Sequence, residues 1–371
     1  MKKIKVLNVT GVTPGGGVYT FLRNIELYSD KNQFDMHYIF SRDENTSFFL
    51  NSFPSDNINI LPSTKMRNLY SFFKELICFY KDNSSSIDVI HIHSPNIALP
   101  HLLFSKLYGI KVRTLHSHNT RHADVFHKKI RNYFLSAFNN SLINSRLACS
   151  NVAGRFLFGK KFFTIIKNGI DLSVFKFNIE RRNIVRSALN FDKNKVYGHV
   201  GGFLPQKNHV FLLKIFSEII KKEPESRMLL IGDGFLREKI EKEVSNLGIE
   251  KKVYFLGQRD DVADLIQGMD VFLFPSVFEG LGFVAIEAQA SGLTCFVSEQ
   301  IPEEARVTNL INYLPLTKSA IEWSNLIISH TLYLPHREKY YLSVKNAGYD
   351  VHDCVRNLQN FYISQLRKNN G

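Results

Sequence analysis

Short apolar runs alternate with amphipathic stretches along the first half of this chain. Residues 4–9, 34–40, 87–93 and 111–115 have the length and apolar content of buried strands. Between them, residues 65–81 carry apolar side chains at helical spacing, which predicts a helix packed on a sheet, with a membrane-facing helix as the alternative. Strands that alternate with helices predict a parallel sheet covered by helices. The first half therefore predicts an α/β domain.

The same alternation begins again after residue 196. Apolar runs recur at 197–203, 227–231, 253–256, 271–274 and 294–297. A length of 371 residues suits two domains of ordinary size, each able to bury its own core. We therefore predict an α/β protein with two parallel-sheet domains.

The string VFLFPSVFEGLGFVAIEAQASG at 271–292 carries the strongest functional signal. A strand at 271–274 leads through a glycine loop to a helix at 283–290, an arrangement that points backbone N–H groups and the positive helix end at an anion. Glu279 lies in the loop and Glu287 in the helix. Eight residues separate them, so we expect two separate hydroxyl contacts along one ligand and no shared proton.

A cation precedes another helix of the second half. Lys207, in the loop LPQKNH, stands where the helix at 210–222 begins, so ammonium and helix N-terminus would both face a diphosphate. Gly232 and Gly257 follow the strands at 227–231 and 253–256. We therefore expect an anion site at this edge of the second sheet.

Two loops of the first half are candidates for ligand contact. GVTPGGG, with Gly15 and Gly16, follows the first strand but lacks the G-x-G-x-x-G dinucleotide fingerprint, and a flexible turn is the alternative. HSHN, with His116, His118 and Asn119, follows the strand at 111–115, at the sheet edge where open α/β sheets bind ligands. A structural role is the alternative for each histidine. No carboxylate or cysteine completes a ligand set, so we predict no metal site.

The formal charge is +13 and the pI about 9.4. Nucleic acid, an anionic membrane face or phosphate-bearing substrates would each suit this charge, but no nucleic-acid-binding motif is present. Thirty-one phenylalanines and 15 tyrosines, interleaved with lysine in the first half, suit a protein that rests on lipid. Four dispersed cysteines suit a reduced compartment. We expect a cytoplasmic protein, peripheral at the inner membrane face.

The 271–292 string, the HSHN motif and the segment TIIKNGID at 164–171 together resemble the retaining glycosyltransferases of family 4, of the bacterial exopolysaccharide and capsule type. The resemblance implies the GT-B fold, in which two Rossmann-like α/β/α domains face a central cleft. It implies an N-terminal acceptor domain at 1–170 and a nucleotide-sugar domain at 171–354. A C-terminal helix at about 355–371 would pack back on the first domain.

The implied reaction moves a sugar from a nucleoside-diphosphate sugar, with UDP as the expected nucleotide, to a hydroxyl of a glycan or polyprenyl-linked acceptor. The anomeric configuration would be retained, without a cofactor. Divalent metal would be dispensable, since no D-x-D stands at a strand end. By resemblance, Glu279 holds the donor sugar, Lys207 the diphosphate, and His116 orders the reacting centre. The other implied donor contacts are Gly15, Gly16, Gly232, Gly257, Gly280, Leu281, Gly282 and, at the ribose, Glu287; His118 and Asn119 would contact the acceptor.

One residue departs from the family pattern. Gly202 stands where the family has an arginine, which removes one of two cations at the departing phosphate. Because of this departure, a second function stays possible: a non-catalytic subunit that keeps the fold and stabilises an active transferase. A nucleotide-sugar epimerase is a further alternative. A nicotinamide-dependent oxidoreductase fits least, because neither glycine loop matches its fingerprint.

Overall fold

The computed structural model describes residues 2–11, 17–42, 53–62, 68–118, 135–136, 138–331 and 335–370. The chain divides into two compact units. Unit 1 comprises Met1–Gly169 and Val351–Gly371, and unit 2 comprises Ile170–Asp350. Whether the expected division at 170 and 354 separates independently folding domains stays a prediction.

Unit 1 is built on a seven-stranded parallel sheet in the order β3-β2-β1-β4-β5-β6-β7. Its strands are β1 Ile4–Thr10, β2 Phe34–Arg42, β3 Ile58–Pro62, β4 Val89–Ile92, β5 Val112–Ser117, β6 Ser145–Ala148 and β7 Thr164–Ile165. Its described helices are α1 Gly17–Tyr28, α2 Leu69–Asn83, α3 Ala98–Leu107, α4 Asn151–Phe158 and, after unit 2, α13 Val351–Asn370.

The helices of unit 1 bury one face each. In α2 the buried side chains are Phe72, Leu76 and Tyr80, four residues apart, which places them on one stripe against the sheet. In α13, Leu358 and Tyr362 are fully buried in the apolar cluster on the other face of the same sheet. The two sheet faces are thus covered by helices from distant parts of the sequence.

Unit 2 carries a six-stranded parallel sheet in the order β10-β9-β8-β11-β12-β13. Its strands are β8 Val196–Val200, β9 Arg227–Ile231, β10 Val253–Gly257, β11 Val271–Phe274, β12 Thr294–Ser298 and β13 Ile311–Leu314. Its helices are α5 Leu172–Phe175, α6 Ile179–Ala188, α7 His209–Lys222, α8 Arg237–Asn246, α9 Val262–Gln267, α10 Phe283–Ala290, α11 Ala320–His330 and α12 Tyr340–Val344. The strand order reverses between β8 and β11, the position where doubly wound sheets bind ligands.

The predicted α/β fold class with two parallel sheets is confirmed. Strand β5 runs on to Ser117, so His116 lies inside a strand and not after it. The helix expected at 355–371 begins earlier, at Val351. Gly15, Gly16 and Asn119 lie outside the described residues, as do 65–67 of the helix expected at 65–81. No helix in the described ranges has the length and apolar character needed to cross a membrane.

Candidate functional site

Three glycine-containing loops meet at the carboxyl ends of β8, β9 and β10 in unit 2. The Gly232 N–H donates to the Gly257 carbonyl at 2.8 Å, and the Gly201 N–H to the Ile231 carbonyl at 2.9 Å. Gly232 has a φ of 134°, and a Cβ there would lie 2.2 Å from the Gly201 oxygen. Only glycine allows this approach of backbone to backbone. The predicted loops of Gly232 and Gly257 are therefore brought together.

Lys207 and Glu279 form an ion pair beside these loops. Lys207 ends a 3₁₀ turn, Pro205–Lys207, and its Nζ lies 2.7 Å from Oε1 of Glu279. The ammonium also lies 4.8 Å from the ring centre of Phe274 at the end of β11. The exposed fractions of the Lys207 and Glu279 side chains are 16% and 10%, so both charges are largely shielded from water, which strengthens their attraction.

Hydrogen bonds tie the loop before α7 to the loop after β11. Gln206 accepts from the Val277 N–H at 2.8 Å through its carbonyl, and its side-chain amide donates to the Phe278 carbonyl at 2.9 Å. The Asn208 amide donates to the Pro275 carbonyl at 3.2 Å. These bonds fix the spacing of lysine and glutamate. Sequence analysis missed both amide residues, and only their position beside Lys207 pointed to them.

The β11–α10 loop ends at Gly282, where α10 begins. Gly282 has a φ of 80°, which favours glycine, and its neighbour Leu281 is buried. Gly280 lies in the same loop, so the first backbone N–H groups of α10 follow the predicted anion loop directly. Glu287 lies in the second turn of α10, and burial raises the pKa of its carboxyl group to about 7.

Gly202 leaves room for a larger side chain. A Cβ at this position would meet the Asp233 carbonyl oxygen at 3.6 Å, an ordinary van der Waals distance. Two histidines, His199 and His209, lie close by, with ring centres 4.8 Å apart. Burial lowers the pKa of His209 to about 4 and that of His199 well below its usual value. Neither is charged at neutral pH, so neither replaces the family's arginine as a cation.

Four histidines form a cluster on one face of the sheet in unit 1. His91 and His116 lie in the paired strands β4 and β5, and His93 and His118 follow those strands at two-residue spacing, which directs all four to the same face. Nε2 of His91 lies 3.2 Å from Nδ1 of His116, and Nδ1 of His93 lies 3.1 Å from Nε2 of His118. The alternation in HIH and HSH was the sequence signal for this grouping.

Two residues distant in sequence anchor the cluster. The Tyr362 hydroxyl in α13 lies 2.6 Å from Nδ1 of His91, and Oδ1 of Asn8 in β1 lies 3.2 Å from Nε2 of His93. The Phe21 ring of α1 lies 5.2 Å from the ring centre of His116 and covers the cluster. Sequence analysis did not identify these anchors, because nothing local connects them to the histidines.

Burial keeps these imidazoles neutral. It lowers the pKa of His118 to about 3 and the pKa of His91, His93 and His116 well below the usual value. A neutral imidazole donates one hydrogen bond and accepts another. The cluster can therefore orient hydroxyl groups or ligate a metal, but it does not supply positive charge.

The sequence is similar to those of known glycosyltransferases. Residues 180–311 match the family model described as "Glycosyl transferases group 1". The chain is 30% identical over 375 residues to EpsF of Bacillus subtilis (strain 168), a glycosyltransferase by name, covering 98% of this chain and 97% of EpsF. It is 27% identical over 321 residues to the UDP-Gal:alpha-D-GlcNAc-diphosphoundecaprenol alpha-1,3-galactosyltransferase of Escherichia coli, covering 80% and 79%.

A solved structure shares the fold across nearly the whole chain. Anabaena Alr3699/HepE, crystallised in complex with UDP and glucose, superimposes with a TM-score of 0.78 at 17% identity, covering 97% of this chain and 100% of HepE. At this identity the likeness concerns the fold alone. The matched family segment, 180–311, contains Lys207, Glu279 and Glu287.

Proposed function

Because the chain belongs to the group 1 glycosyl transferases, we propose that it moves a sugar from a nucleoside-diphosphate sugar to a hydroxyl of a glycan or lipid-linked acceptor in surface polysaccharide biosynthesis. We take UDP as the nucleotide. The observation that carries the proposal is the Lys207–Glu279 pair at the glycine-lined edge of the unit 2 sheet. This edge suits a diphosphate that joins two sugars. The cation and the backbone N–H groups match the phosphates, and the two carboxylates match the sugar hydroxyls on either side.

Each group at this edge has a task in the proposed donor complex. Lys207 and the N-terminus of α10 stabilise the negative charge that grows on the departing diphosphate. Glu279 accepts hydrogen bonds from the donor sugar, and Glu287 from the ribose. The loops of Gly232, Gly257, Gly280 and Gly282 let the backbone approach the nucleotide. The pKa of Glu287, raised by burial to about 7, suits a carboxyl group whose partner is supplied by the ligand.

We assign the acceptor side to unit 1. We propose that His116 orders the reacting centre and that His118 and Asn119 contact the acceptor. Gly15 and Gly16 of the same unit would let the backbone approach the donor diphosphate; they and Asn119 lie outside the described residues. The two histidines already lie in a neutral, covered cluster that can hold a hydroxyl group by hydrogen bonds. Attack on the face that the diphosphate leaves, with the phosphate taking the proton, gives the retained configuration that we propose. Lys207 does the charge neutralisation for which a D-x-D enzyme uses a metal ion, so transfer should not need one.

A lipid-linked acceptor fits the surface of α2. Beside its buried stripe, this helix exposes Tyr70, Phe73 and Ile77, and Lys74 lies among them. Aromatic and apolar side chains interspersed with lysine suit the interface of an anionic bilayer. The galactosyltransferase relative is named for a diphosphoundecaprenol acceptor, which is membrane-bound. We therefore propose a peripheral enzyme at an anionic membrane surface, without a nucleic-acid partner.

Gly202 favours one second candidate, a non-catalytic subunit that binds nucleotide sugar and supports an active transferase. With Gly202 in place of arginine, and with neutral His199 and His209 beside it, the positive charge at this edge is lower than the family pattern provides. A subunit of this kind would bind the nucleotide but turn nothing over. An epimerase, in contrast, would consume the nucleotide sugar without any acceptor.

A thermal-shift screen with UDP, GDP, ADP and their sugars tests the donor site. At a ligand concentration 100 times the Kd, binding stabilises by about 2.7 kcal/mol, a visible shift. We expect UDP ligands to shift the wild type but not Lys207→Ala. Lys214→Ala, an exposed lysine of α7, is the matched control and should behave as wild type. If no nucleotide shifts the wild type, the proposed donor site is wrong.

A turnover assay then separates the candidate functions. The full chain is incubated with the UDP-sugar found above and with polyprenyl-diphosphate-linked acceptors in vesicles containing anionic lipid, with and without EDTA. Formation of a longer lipid-linked glycan, with the anomeric configuration read by NMR, supports the retaining transferase. Release of free sugar or an epimerised nucleotide sugar supports the epimerase. Binding without turnover supports the subunit, and loss of product with EDTA would contradict metal independence.

A further inference from the structure

We propose that His91, His93 and His116 form a binding site for a divalent cation that prefers imidazole ligands, Zn²⁺ foremost. One ring nitrogen from each of the three side chains lies within 4.8 Å of the other two. All three residues are buried. The three residues belong to unit 1, whereas the proposed donor groups, for which we expect no metal, belong to unit 2.

The distance between the facing ring nitrogens of His91 and His116 suits two ligands of a tetrahedral ion, and all three ligand nitrogens lie within 4.8 Å of one another. With Zn–N bonds of about 2.0–2.1 Å, ligand nitrogens lie roughly 3.3 Å apart. Nε2 of His91 and Nδ1 of His116 are 3.2 Å apart in the structure. The sequence interpretation set metal aside because no carboxylate or cysteine completed a ligand set. Three imidazoles need neither, since a His₃ set with an open fourth position is an established zinc arrangement.

A neighbouring residue holds the second ring nitrogen of His91 and of His93, whereas Nε2 of His116 has no hydrogen-bond partner in the described structure. Oδ1 of Asn8 can only accept, so Nε2 of His93 donates to it and the lone pair of the neutral ring lies on Nδ1, on the cluster side. The Tyr362 hydroxyl holds Nδ1 of His91, which leaves Nε2 facing His116. Ligating histidines commonly use their second nitrogen for such an orienting bond. The neutral state of the rings is also the state that binds metal.

His118 lies beside the three proposed ligands. Its Nε2 lies 3.1 Å from Nδ1 of His93, and its buried Nδ1 has no hydrogen-bond partner in the described structure. His118 is the least buried of the four histidines, so the ion has a path past it or binds it as a fourth ligand. With imidazole ligands alone, the site excludes Mg²⁺ and Ca²⁺, which prefer oxygen.

The site has a consequence for the proposed transfer reaction. His116, which we expect at the reacting centre, would be held by the ion and lose its freedom to contact substrate. This consequence rests on the proposed function, whereas the binding site itself does not. We therefore expect Zn²⁺ to slow transfer and EDTA to restore it, the opposite of a metal-dependent enzyme.

The test measures binding directly, on the full chain without a polyhistidine tag. Equilibrium dialysis against Zn²⁺ gives the stoichiometry, and Co²⁺ substitution reports the geometry by its visible absorption. We expect one Zn²⁺ per chain with micromolar or tighter affinity, and the strong absorption of four-coordinate Co²⁺. His93→Gln should weaken binding by at least about 10–100-fold, the effect of even an outer-shell change. His336→Gln, which alters an exposed histidine beside Glu338, should leave it unchanged.

Two further results keep the test decisive. If His93→Gln does not fold, as judged by circular dichroism, Asn8→Leu removes only the orienting acceptor and should still weaken Zn²⁺ binding by about 10-fold or more. A stoichiometry well below one, the weak spectrum of six-coordinate Co²⁺, or equal loss in His336→Gln would overturn the proposal. Because unit 2 holds the donor groups, the UDP shift should persist in these variants, so failure of this proposal and failure of the donor site are distinguishable.

Discussion

The Lys207 ammonium and the Glu279 carboxylate neutralise each other across 2.7 Å, although 72 residues separate them in the sequence. A diphosphate entering this edge competes with Glu279 for the lysine. We expect Glu279→Gln to tighten UDP binding several-fold, because the ammonium no longer has a competing counter-charge. Transfer should fall by about 100-fold, the usual effect of losing one positioned hydrogen-bonding group. Calorimetry with UDP and the turnover assay measure the two effects. A loss of UDP affinity would show that Glu279 does not compete with the diphosphate.

Gly202→Arg restores the family's second cation. A Cβ at this position meets nothing closer than 3.6 Å, so we expect the variant to fold and to bind UDP about tenfold more tightly. Gly232→Ala is the contrasting substitution, because its Cβ would lie 2.2 Å from the Gly201 oxygen and it has a φ of 134°. It should weaken both stability and UDP binding. Melting temperatures and UDP titrations of the two variants check this, and equal damage by both would show that Gly202 lacks the space that we describe.

The buried carboxyl group of Glu287 should make the free energy of unfolding depend on pH. Burial raises the pKa of this carboxyl group to about 7, above the value of about 4.5 in the unfolded chain. Between pH 4.5 and pH 7 the folded protein therefore keeps this group protonated, whereas the unfolded chain releases the proton. The free energy of unfolding therefore falls as the pH rises from 4.5 through 7, by up to about 3 kcal/mol from this group. Glu287→Gln removes this contribution. The variant should gain stability relative to wild type as pH rises from 4.5 to 8, measured by urea unfolding without nucleotide. A constant difference across this range would contradict the assignment.

The carboxylate of Asp270 balances the positive charge of two neighbouring arginines within unit 2. Its carboxylate pairs with Arg182 at 2.5 Å and Arg186 at 3.1 Å, and it accepts from the Val196 N–H at 2.8 Å. Asp270→Ala leaves two partly buried guanidinium groups with backbone carbonyl partners but without this counter-charge, so we expect a loss of about 3–5 kcal/mol in the free energy of unfolding. The control is Asp264→Ala, whose pair with Arg181 is exposed and should contribute at most about 1 kcal/mol. Chemical denaturation of both variants measures the difference, and similar losses would refute this reading of burial.

Local pattern was enough to predict the strands and loops of the donor edge. The strands β9 and β11 and the helix α10 have the predicted bounds, because each is a complete apolar run or face closed by glycine or proline. The confirmed α/β fold class follows from the same alternation. The roles of Glu279, Glu287 and Lys207 stay predictions, since they came from resemblance to a family.

Pairings across the sequence could not be predicted. The contact between His91 and Tyr362 joins residues 271 positions apart, and that between Asn8 and His93 joins residues 85 apart. Such contacts depend on the strand order and on which helix covers which face of the sheet. Neither can be inferred from the residues next to each other in the sequence. Strand β5 shows the same limit on a smaller scale. The polar residues His116 and Ser117 at its end predict a loop from the sequence, but backbone pairing with β6 keeps them in the sheet.

The return of the chain to unit 1 sets an order of events during synthesis. Leu358, Phe361 and Tyr362 fill the apolar cluster against β1 and β2, yet the ribosome makes them only after the whole of Ile170–Asp350. At roughly 5–20 residues per second, these strands wait on the order of 10–40 s with part of one face uncovered, although α1 already packs on that face. We therefore expect nascent unit 1 to expose apolar sheet surface of the kind that chaperones recognise. The histidine cluster, which needs Tyr362, is among the last features of the protein to form.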